Sequence, residues 1–388
     1  MPWKEQKVEN TRQEFVAEAI RKEKSFSALC REYNVTRKTG YKWVERYRAG
    51  EPLSNYSHRP ETHPHKTRAE TEELIVQARI AHPAWGARKL KRYLENQGHT
   101  NLPVQSTICS ILNRRELVEA EASLGHIPVR RFEREKANEL WQADFKGDFG
   151  MMDSTRCFPL TVLDDHSRYS LAIDAKSNQR QQGVQASFSH LFSQYGMPDS
   201  LLCDNGAPWG CSQGGFTCFE VWLMQHDILP IHGRPLHPQT QGKEERFHRT
   251  MKEELLKRTV IENLAHAQKT FDAWRRVYNH ERPHAALDLD VPAKRFRVSK
   301  PRYPPDRLPE PQYDSGKQLR KVNCKGYISL HSHRYFFSDA FIGKYMELVE
   351  EKDDILSLCY GAFRVARVDL KEHCFLSKRI FRRSSSPP

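Results

Sequence analysis

The sequence has 388 residues, and its 38% hydrophobic and 29% charged residues indicate a soluble protein of roughly two to four domains. Lysine and arginine number 62 against 49 acidic residues, and the net charge of +13 favours a polyanionic partner, most simply nucleic acid. The sequence gives no support for a membrane span, a signal peptide, a disulfide framework or a zinc site. The chain lacks a long apolar run, its first residues are polar, and its nine cysteines include no Cys-x-x-Cys pair.

Two short helices joined by a turn are predicted near the N-terminus, with Ser25 and Thr36 as their caps. The inward face of the second helix is expected to comprise Gly40, Trp43, Val44 and Tyr47. Its other residues include candidates for DNA contact, namely Lys38, Tyr41, Lys42 and Arg46. This pattern favours a helix-turn-helix unit that binds DNA, with a generic helical hairpin as the alternative.

A second helical group follows a linker at residues 51–68 that is rich in proline, histidine and serine. Helices are predicted over 70–81, from 86 to about 97, and from 103 onwards. Ile108, Ile111 and Leu112 form the apolar face of the third helix. The group is therefore predicted to be another helix-turn-helix unit, or a winged-helix-like variant.

From residue 138 the pattern changes to alternating strands and helices, which predicts a mixed sheet flanked by helices. The predicted strands are 140–145, 158–163, 168–173, 200–203 and 228–231. The predicted helices are 181–195, 219–225, one starting after Gly242, and 262–279. Beyond a proline-rich linker, five short strands within residues 319–370 predict a small β-barrel of the SH3-like kind.

Three acidic residues lie where this sheet would bring them together. Asp144 lies within one strand, Asp204 follows another, and Glu245 is in the first turn of a helix. Three nearby carboxylates repel one another unless cations lie between them, so the arrangement indicates a divalent metal site. Basic or polar residues at i+3, i+4 and i+7 from Glu245 share its helical face and could hold phosphates: His248, Arg249 and Lys252. Alone, this helix would be read as a solvated amphipathic helix.

Four motifs in order resemble the integrase core of bacterial insertion-sequence transposases of the DDE group, which is related to retroviral integrases. They are Trp-Gln-Ala-Asp at 141–144, Leu-Asp-Asp-His-Ser-Arg at 163–168, Asp-Asn-Gly at 204–206, and the segment 237–248. The two helix-turn-helix units resemble those of the single-protein bacterial members. The resemblance covers about residues 10 to 370.

The resemblance implies a multidomain protein with all-α helix-turn-helix units, an α/β ribonuclease H-like core and a small C-terminal barrel. The expected domains are 1–60 and 61–125 (helix-turn-helix units), 126–137 (linker), 138–300 (catalytic core), 301–318 (linker), 319–375 (barrel) and 376–388 (disordered tail). Two departures from the family are visible. The interval from Asp204 to Glu245 is longer by roughly five residues, with the surplus expected in 209–215, and the zinc-binding domain of retroviral integrases has no counterpart.

By the same resemblance, Asp144, Asp204 and Glu245 are the catalytic residues and the ligands of two Mg²⁺ ions, for which Mn²⁺ could substitute. The expected reaction is cleavage at the element's ends and transfer of the 3′-ends into target DNA. Glu245 is preferred over Glu244, because Glu244 lies on the apolar side of the helix. The residues expected to contact DNA are Lys38, Tyr41, Lys42, Arg46, Lys243, His248, Arg249 and Lys252.

The partners implied are double-stranded DNA, as transposon ends and target, and further copies of the chain when DNA is bound. No membrane partner is expected, and the implied location is the bacterial cytoplasm, with nucleoid association through DNA. Two alternatives remain open at this stage. One is a DNA-binding protein without catalysis, such as a domesticated transposase or a regulator. The other is a ribonuclease H-like nuclease that cuts DNA but does not join it.

Overall fold

A computed structural model describes residues 8–55, 67–118, 133–206, 208–210, 215–233, 242–300, 303–304, 310–351 and 354–383. Most of the predicted linkers, the segment 234–241 and the last five residues therefore lie outside the described residues. The chain divides into two compact units, Met1–Lys66 and Thr67–Pro388. Within the described ranges, no helix is both long and apolar enough to cross a membrane, and every described cysteine is a free thiol.

The described part of the first unit, residues 8–55, contains three helices, α1 (Val8–Arg21), α2 (Phe26–Glu32) and α3 (Arg37–Arg48). The predicted caps are confirmed, because the side chain of Ser25 accepts from the Ala28 amide and that of Thr36 from the Thr39 amide. Asn34 adopts a positive φ of 50° in the turn between α2 and α3. Short polar residues tolerate this left-handed conformation, so the turn is fixed locally by the sequence.

The buried face of α3 differs from the predicted one at two positions. Gly40, Trp43 and Val44 are buried as predicted, but Tyr47 is 53% exposed and Arg46 is only 7% exposed. Arg46 lies 5.0 Å from the Trp43 ring and 3.2 Å from a carboxylate oxygen of Glu51. These two contacts explain the difference, because they compensate the guanidinium for its burial. Arg46 is therefore part of the packing of this unit.

The second unit begins with α4 (Ala69–Ala81), α5 (Ala87–Asn96) and α6 (Gln105–Arg114). The predicted apolar face of α6 is confirmed, with Ile108, Ile111 and Leu112 all at most 2% exposed. Two ion pairs attach α5 to the central part of the chain: Lys89 lies 3.9 Å from Glu254 and Arg92 lies 3.6 Å from Asp290. These helices thus pack on the central domain of the same unit.

A six-stranded mixed sheet forms the centre of the second unit. Its strands are β1 (Trp141–Phe145), β2 (Phe149–Gly150), β3 (Arg156–Asp164), β4 (Ser170–Lys176), β5 (Ser200–Cys203) and β6 (Leu229–His232). They lie in the order β2-β3-β1-β5-β6, with β4 paired to β3. β1 pairs antiparallel with β3 and parallel with β5. The sequence predicted five of these strands and missed the two-residue β2.

Helices pack against this sheet. They are α7 (Gln181–Tyr195), α8 (Cys218–Gln225), α9 (Gly242–Met251), α10 (Leu264–His280) and α11 (Pro292–Arg295). α9 continues without a break into a π-helical turn, Lys252–Leu256, which the sequence did not predict. The apolar side of α9 packs on α10 through Phe247, whose ring meets that of Tyr278 edge to face at 4.9 Å.

The C-terminal region contains eight strands, β7 (Leu319–Lys321), β8 (Tyr327–Leu330), β9 (His333–Phe336), β10 (Tyr345–Glu350), β11 (Ile355–Tyr360), β12 (Phe363–Asp369), β13 (Cys374–Ser377) and β14 (Phe381–Arg382). The predicted barrel is not confirmed. The described strands form an open sheet, β13-β12-β11-β10-β7 with β14 on β12, while β8 and β9 pair only with each other. Closure would require a further pairing that the separate hairpin does not make.

Part of the predicted disordered tail belongs to this sheet. Residues 376–383 are described, and β14 pairs with β12 in antiparallel fashion. Arg382 is hydrogen-bonded to a carboxylate oxygen of Asp227 at 2.8 Å, and Arg383 to Glu347 at 2.6 Å. These long-range contacts hold a segment whose composition alone is typical of a solvated tail.

The C-terminal region packs on the central domain through an aromatic contact made by the segment between β9 and β10. Phe216, which precedes α8, lies 5.2 Å from the ring of Phe341 and 5.5 Å from that of Phe337. Val221 and Met224 of α8 belong to the same buried cluster. Phe216 and the adjoining helix α8 therefore contact both the central domain and the C-terminal region.

Candidate active site

Asp144 lies on β1 opposite Thr161 of β3, with one carboxylate oxygen accepting from the Phe145 amide at 2.8 Å. Burial raises the pKa of Asp144 to about 6, and the negative charges of Asp204 and Glu245 add to the rise. The predicted carboxylates therefore act on one another electrostatically, although they come from β1, from the end of β5 and from α9.

Asp204 is exposed at the end of β5, and polar groups hold its backbone. Its main-chain oxygen accepts from Nδ1 of His232 at 3.0 Å, while Nε2 of His232 lies 2.9 Å from Glu220. Burial opposes a charge on His232, but its hydrogen bond to Glu220 and the charge of Glu220 outweigh burial and raise the pKa of the imidazole. Glu220 also forms a capping box with Thr217 at the start of α8. Sequence reasoning missed this support, since no motif marked His232.

Glu244 and Glu245 occupy opposite environments in the first turn of α9. Glu245 is exposed, whereas Glu244 is 1% exposed and lies on the buried side with Phe247. This confirms the predicted phase of the helix. Burial raises the pKa of Glu244 well above its ordinary value, and the charge of Asp144 raises it further. Burial and the charge of Asp144 therefore both favour the protonated form of Glu244, whose Oε1 has no hydrogen-bond partner among the described residues.

A polar contact network lies behind Asp144. The hydroxyl of Thr161 is 3.0 Å from the main-chain oxygen of Asp144, 3.2 Å from Oε2 of Glu244 and 2.8 Å from Nε2 of His248. Burial, together with the charge of Lys146, lowers the pKa of His248 to about 3. His248 is therefore neutral at pH 7, and its 3.8 Å approach to Asp144 Oδ2 is a polar contact without an ion pair. Thr161 could have indicated this network from the sequence, because it is a polar residue in a mostly apolar strand.

The basic residues of this region do not share one surface. Arg249 and Lys252 are exposed on α9 and on the π-helical turn that follows it. His248 is largely buried within the network, and Lys243 is half-buried, with its ammonium group on the buried carboxylate of Asp165. The structure thus places Arg249 and Lys252 where DNA could reach them, and directs Lys243 and His248 inward.

The predicted DNA contacts of the first unit are also divided. Lys38, Tyr41 and Lys42 are exposed along α3, whereas Arg46 is buried against Trp43. Arg46 is accordingly removed from the set of outward-facing candidates, and the other three remain.

Residues 209–215 were predicted to hold the extra length between Asp204 and Glu245, and part of this loop is buried in the core. Trp209 is 3% exposed within the main cluster, and a Cβ atom on Gly210 would lie 2.8 Å from the carbonyl oxygen of Asn205. Residues 211–214 lie outside the described residues. The close approach at Gly210 requires glycine and keeps the start of this loop against the segment that carries Asp204.

The donor chemistry of the site suits a hard divalent cation, because Asp144, Asp204 and Glu245 offer only carboxylate oxygens. The raised pKa of Asp144, caused first by burial and then in part by the charges of Asp204 and Glu245, supports this assignment, since a bound cation would offset both effects. As the described side chains stand, no three His, Cys, Asp or Glu residues are grouped closely enough to hold a metal ion.

Models of known protein families match four parts of the chain. Two models described as integrase core domains match residues 134–238 and 226–292. A helix-turn-helix domain matches residues 11–60, and a homeodomain-like domain matches residues 39–112. Together they cover the helical units and the central sheet.

Similar curated proteins come from bacterial insertion elements. The chain is 29% identical over 157 residues to the insertion element IS476 uncharacterized 39.2 kDa protein of Xanthomonas euvesicatoria, covering 40% of this chain and 44% of that protein. It is 25% identical over 157 residues to the insertion element IS407 uncharacterized 31.7 kDa protein of Burkholderia multivorans, covering 40% of this chain and 54% of that protein. The chain thus spans about half the length of the curated relatives it matches.

Two of the similar solved structures are retroviral. A chain of the simian T-cell lymphotropic virus intasome in complex with PP2A regulatory subunit B56 gamma is 14% identical with a TM-score of 0.38, over 80% of this chain and 99% of that one. The HTLV-2 integrase catalytic core domain in complex with magnesium, in its trimeric form, is 14% identical with a TM-score of 0.32, over 42% of this chain and 97% of that one.

Proposed function

We propose that this chain is a DNA transposase of an insertion element, because integrase-core models match its central domain, helix-turn-helix models match the region ahead of it, and similar curated proteins come from insertion elements. In this proposal it binds the terminal inverted repeats of its element, cleaves the DNA at the ends and joins the 3′-ends to target DNA. Both ends must be held together, so the active complex contains at least two copies. It acts in the bacterial cytoplasm, where DNA brings it to the nucleoid.

The observation that carries the proposal is the electrostatic coupling of the three carboxylates. Asp144 has a pKa of about 6 partly because the charges of Asp204 and Glu245 act on it. Folding three acidic groups into one region is unfavourable in the absence of a cation. A protein that only bound DNA would have no use for carboxylates placed in this way, whereas a two-metal phosphoryl-transfer site requires them as ligands.

Asp144, Asp204 and Glu245 are the residues that would hold the metal, which we take to be two Mg²⁺ ions with Mn²⁺ as a substitute. When bound, the two ions supply activation of the attacking oxygen and charge stabilisation of the leaving oxygen. Thr161 holds the backbone of Asp144 from behind. His232 does the same for the backbone of Asp204.

The exposed cations supply the DNA-binding surfaces in this proposal. Arg249 and Lys252 lie beyond Glu245 on the outer surface of α9, where they would hold phosphates beside the reacting strand. On the first unit, α3 presents Lys38, Tyr41 and Lys42 to the major groove of the terminal repeat. The helix-turn-helix units thus select the ends, and the core performs the chemistry.

The proposal is tested by assaying end binding, cleavage and strand transfer with Mg²⁺ and with EDTA. Asp144→Asn and Asp204→Asn should each abolish cleavage and transfer, with end binding nearly intact. Glu244→Gln and Glu245→Gln are matched neighbours, and only the Glu245 variant should lose activity. Turnover in EDTA would refute the metal assignment, and end binding without cleavage by the wild type would favour a regulator. Cleavage without joining would favour a nuclease.

A further inference from the structure

Asp165 is a buried carboxylate in the turn after β3, and three segments converge on it. Asp165 as a whole residue is 1% exposed. Its Oδ1 accepts from Nε2 of Gln142 at 2.6 Å, and its Oδ2 accepts from the Arg134 amide at 2.8 Å. The ammonium group of Lys243 also donates to Oδ1 and lies 3.3 Å from the main-chain oxygen of Asp165. Asp165 therefore joins the entry to the core, β1 and α9.

Two of these donors lie beside proposed catalytic residues. Gln142 is two residues before Asp144 on β1, and since side chains alternate along a strand, both project to the same face. Lys243 is two residues before Glu245 in the first turn of α9. One buried carboxylate thus links the elements that carry Asp144 and Glu245.

The position of Lys243 is unfavourable without this contact. The first turn of a helix is the positive end of its dipole, so a cation there is destabilising. Lys243 is also largely withdrawn from solvent, with 17% of its side chain exposed. A buried charge requires a partner, and Asp165 supplies it from a residue 78 positions away in the chain.

We propose that Asp165 and Lys243 are positioning residues that fix the first turn of α9 against β1, so that Glu245 and Asp144 face the same site. In this arrangement Lys243 acts through Asp165 and makes no phosphate contact, unlike Arg249 and Lys252. The inference rests on the proposed function, because it assigns the pair a role at the proposed metal site.

The experiment uses the full-length chain with Lys243→Met, Asp165→Asn and the double variant. Mn²⁺ binding is measured by electron paramagnetic resonance, end-DNA binding by fluorescence anisotropy at several salt concentrations, and cleavage in parallel. Each single variant should lower Mn²⁺ affinity and cleavage about tenfold, as is usual for groups that orient metal ligands. DNA affinity and its salt slope should remain at the wild-type values. The double variant should lose no more Mn²⁺ affinity and no more cleavage activity than the more impaired of the two single variants, because the two residues act as a unit.

Lys252→Met is the matched control on the outer surface of the same helical segment. It should lower DNA affinity and reduce the salt slope by about 1, with unchanged Mn²⁺ affinity. If Lys243→Met behaves in this way, Lys243 is a phosphate contact and the inference is overturned. Wild-type Mn²⁺ affinity in Lys243→Met would also overturn it, as would additive losses in the double variant.

Two further results separate this inference from the proposed function. If Asp165→Asn does not fold, as judged by circular dichroism, Lys243→Met alone decides the question. If the wild-type chain binds Mn²⁺ but cuts no DNA, the proposed transposase activity is refuted. The Mn²⁺ affinities of the variants and the wild type still decide the role of Asp165 and Lys243. A wild-type chain that binds no Mn²⁺ overturns the inference.

Discussion

Replacing Asp144 by asparagine should stabilise the metal-free protein, and should do so more at neutral than at acid pH. The pKa of Asp144 is raised from its ordinary value of 3.8 to about 6, first by burial and then by the charges of Asp204 and Glu245. The folded state therefore binds this proton more tightly than the unfolded chain. The resulting contribution to stability is fully present below pH 3.8 and is lost as the pH rises through 6. Asparagine carries no charge, so the variant avoids this loss.

The size of the effect follows from the shift in pKa. A rise of about two units, at about 1.36 kcal/mol per unit, corresponds to about 3 kcal/mol at pH 7.5 and about 1 kcal/mol at pH 4.5. The advantage of the Asp144 variant over the wild type should therefore grow by about 2 kcal/mol between these pH values. This figure is an upper limit, because 28% of the Asp144 side chain is exposed and solvent screens the charge.

The assay is urea unfolding of the full-length chain in EDTA at pH 4.5 and at pH 7.5. Tryptophan fluorescence monitors the unfolding of the 67–388 unit. Asp288→Asn is the matched control, since the Asp288 side chain is 97% exposed and its replacement should give no pH-dependent gain. At pH 7.5, Mg²⁺ should stabilise the wild type more than the Asp144 variant. An advantage for the variant that is equal at both pH values would refute the raised pKa of Asp144.

Three further outcomes are expected. Lys38→Ala combined with Lys42→Ala should lower affinity for the terminal repeat and reduce the salt slope by about 2, measured by anisotropy; unchanged values would move end recognition to α4–α6. Phe216→Ala should destabilise the second unit by about 3 kcal/mol in urea unfolding and increase hydrogen exchange in both α8 and β10–β12, whereas a change confined to α8 would contradict the packing described. Arg282 and Glu254 form a buried ion pair at 2.8 Å, so Arg282→Met should cost about 3 kcal/mol in urea unfolding, and adding Glu254→Gln should recover most of that loss.

Local signals predicted much of the central domain. Helix α7 and strand β5 have the predicted bounds, 181–195 and 200–203, because each is one periodic segment bounded by turn residues. The placement of Glu244 inside and Glu245 outside followed from the helical period alone. These features depend on neighbours in the chain, which a sequence displays directly.

The features that the sequence did not predict depend on distant partners. Arg46 is buried because Trp43 and Glu51 surround its guanidinium group, and Lys243 is turned inward by Asp165. β14 forms where Phe381 and Arg382 meet β12. Composition describes each of these segments as solvated and basic, so only the folded contacts distinguish a structural cation from one that is free to meet DNA.

The aromatic contact between Phe216 and the C-terminal region has a mechanical consequence. Because Phe337 and Phe341 pack against Phe216 just before α8, the C-terminal region is attached to the central domain by side-chain packing as well as by the chain. A strand of DNA held by the C-terminal region would then be positioned relative to α8 and the central sheet by this packing. Alignment of a target strand with the carboxylates would then be set when the protein folds, and the remaining freedom would lie in the DNA, which must bend to fit.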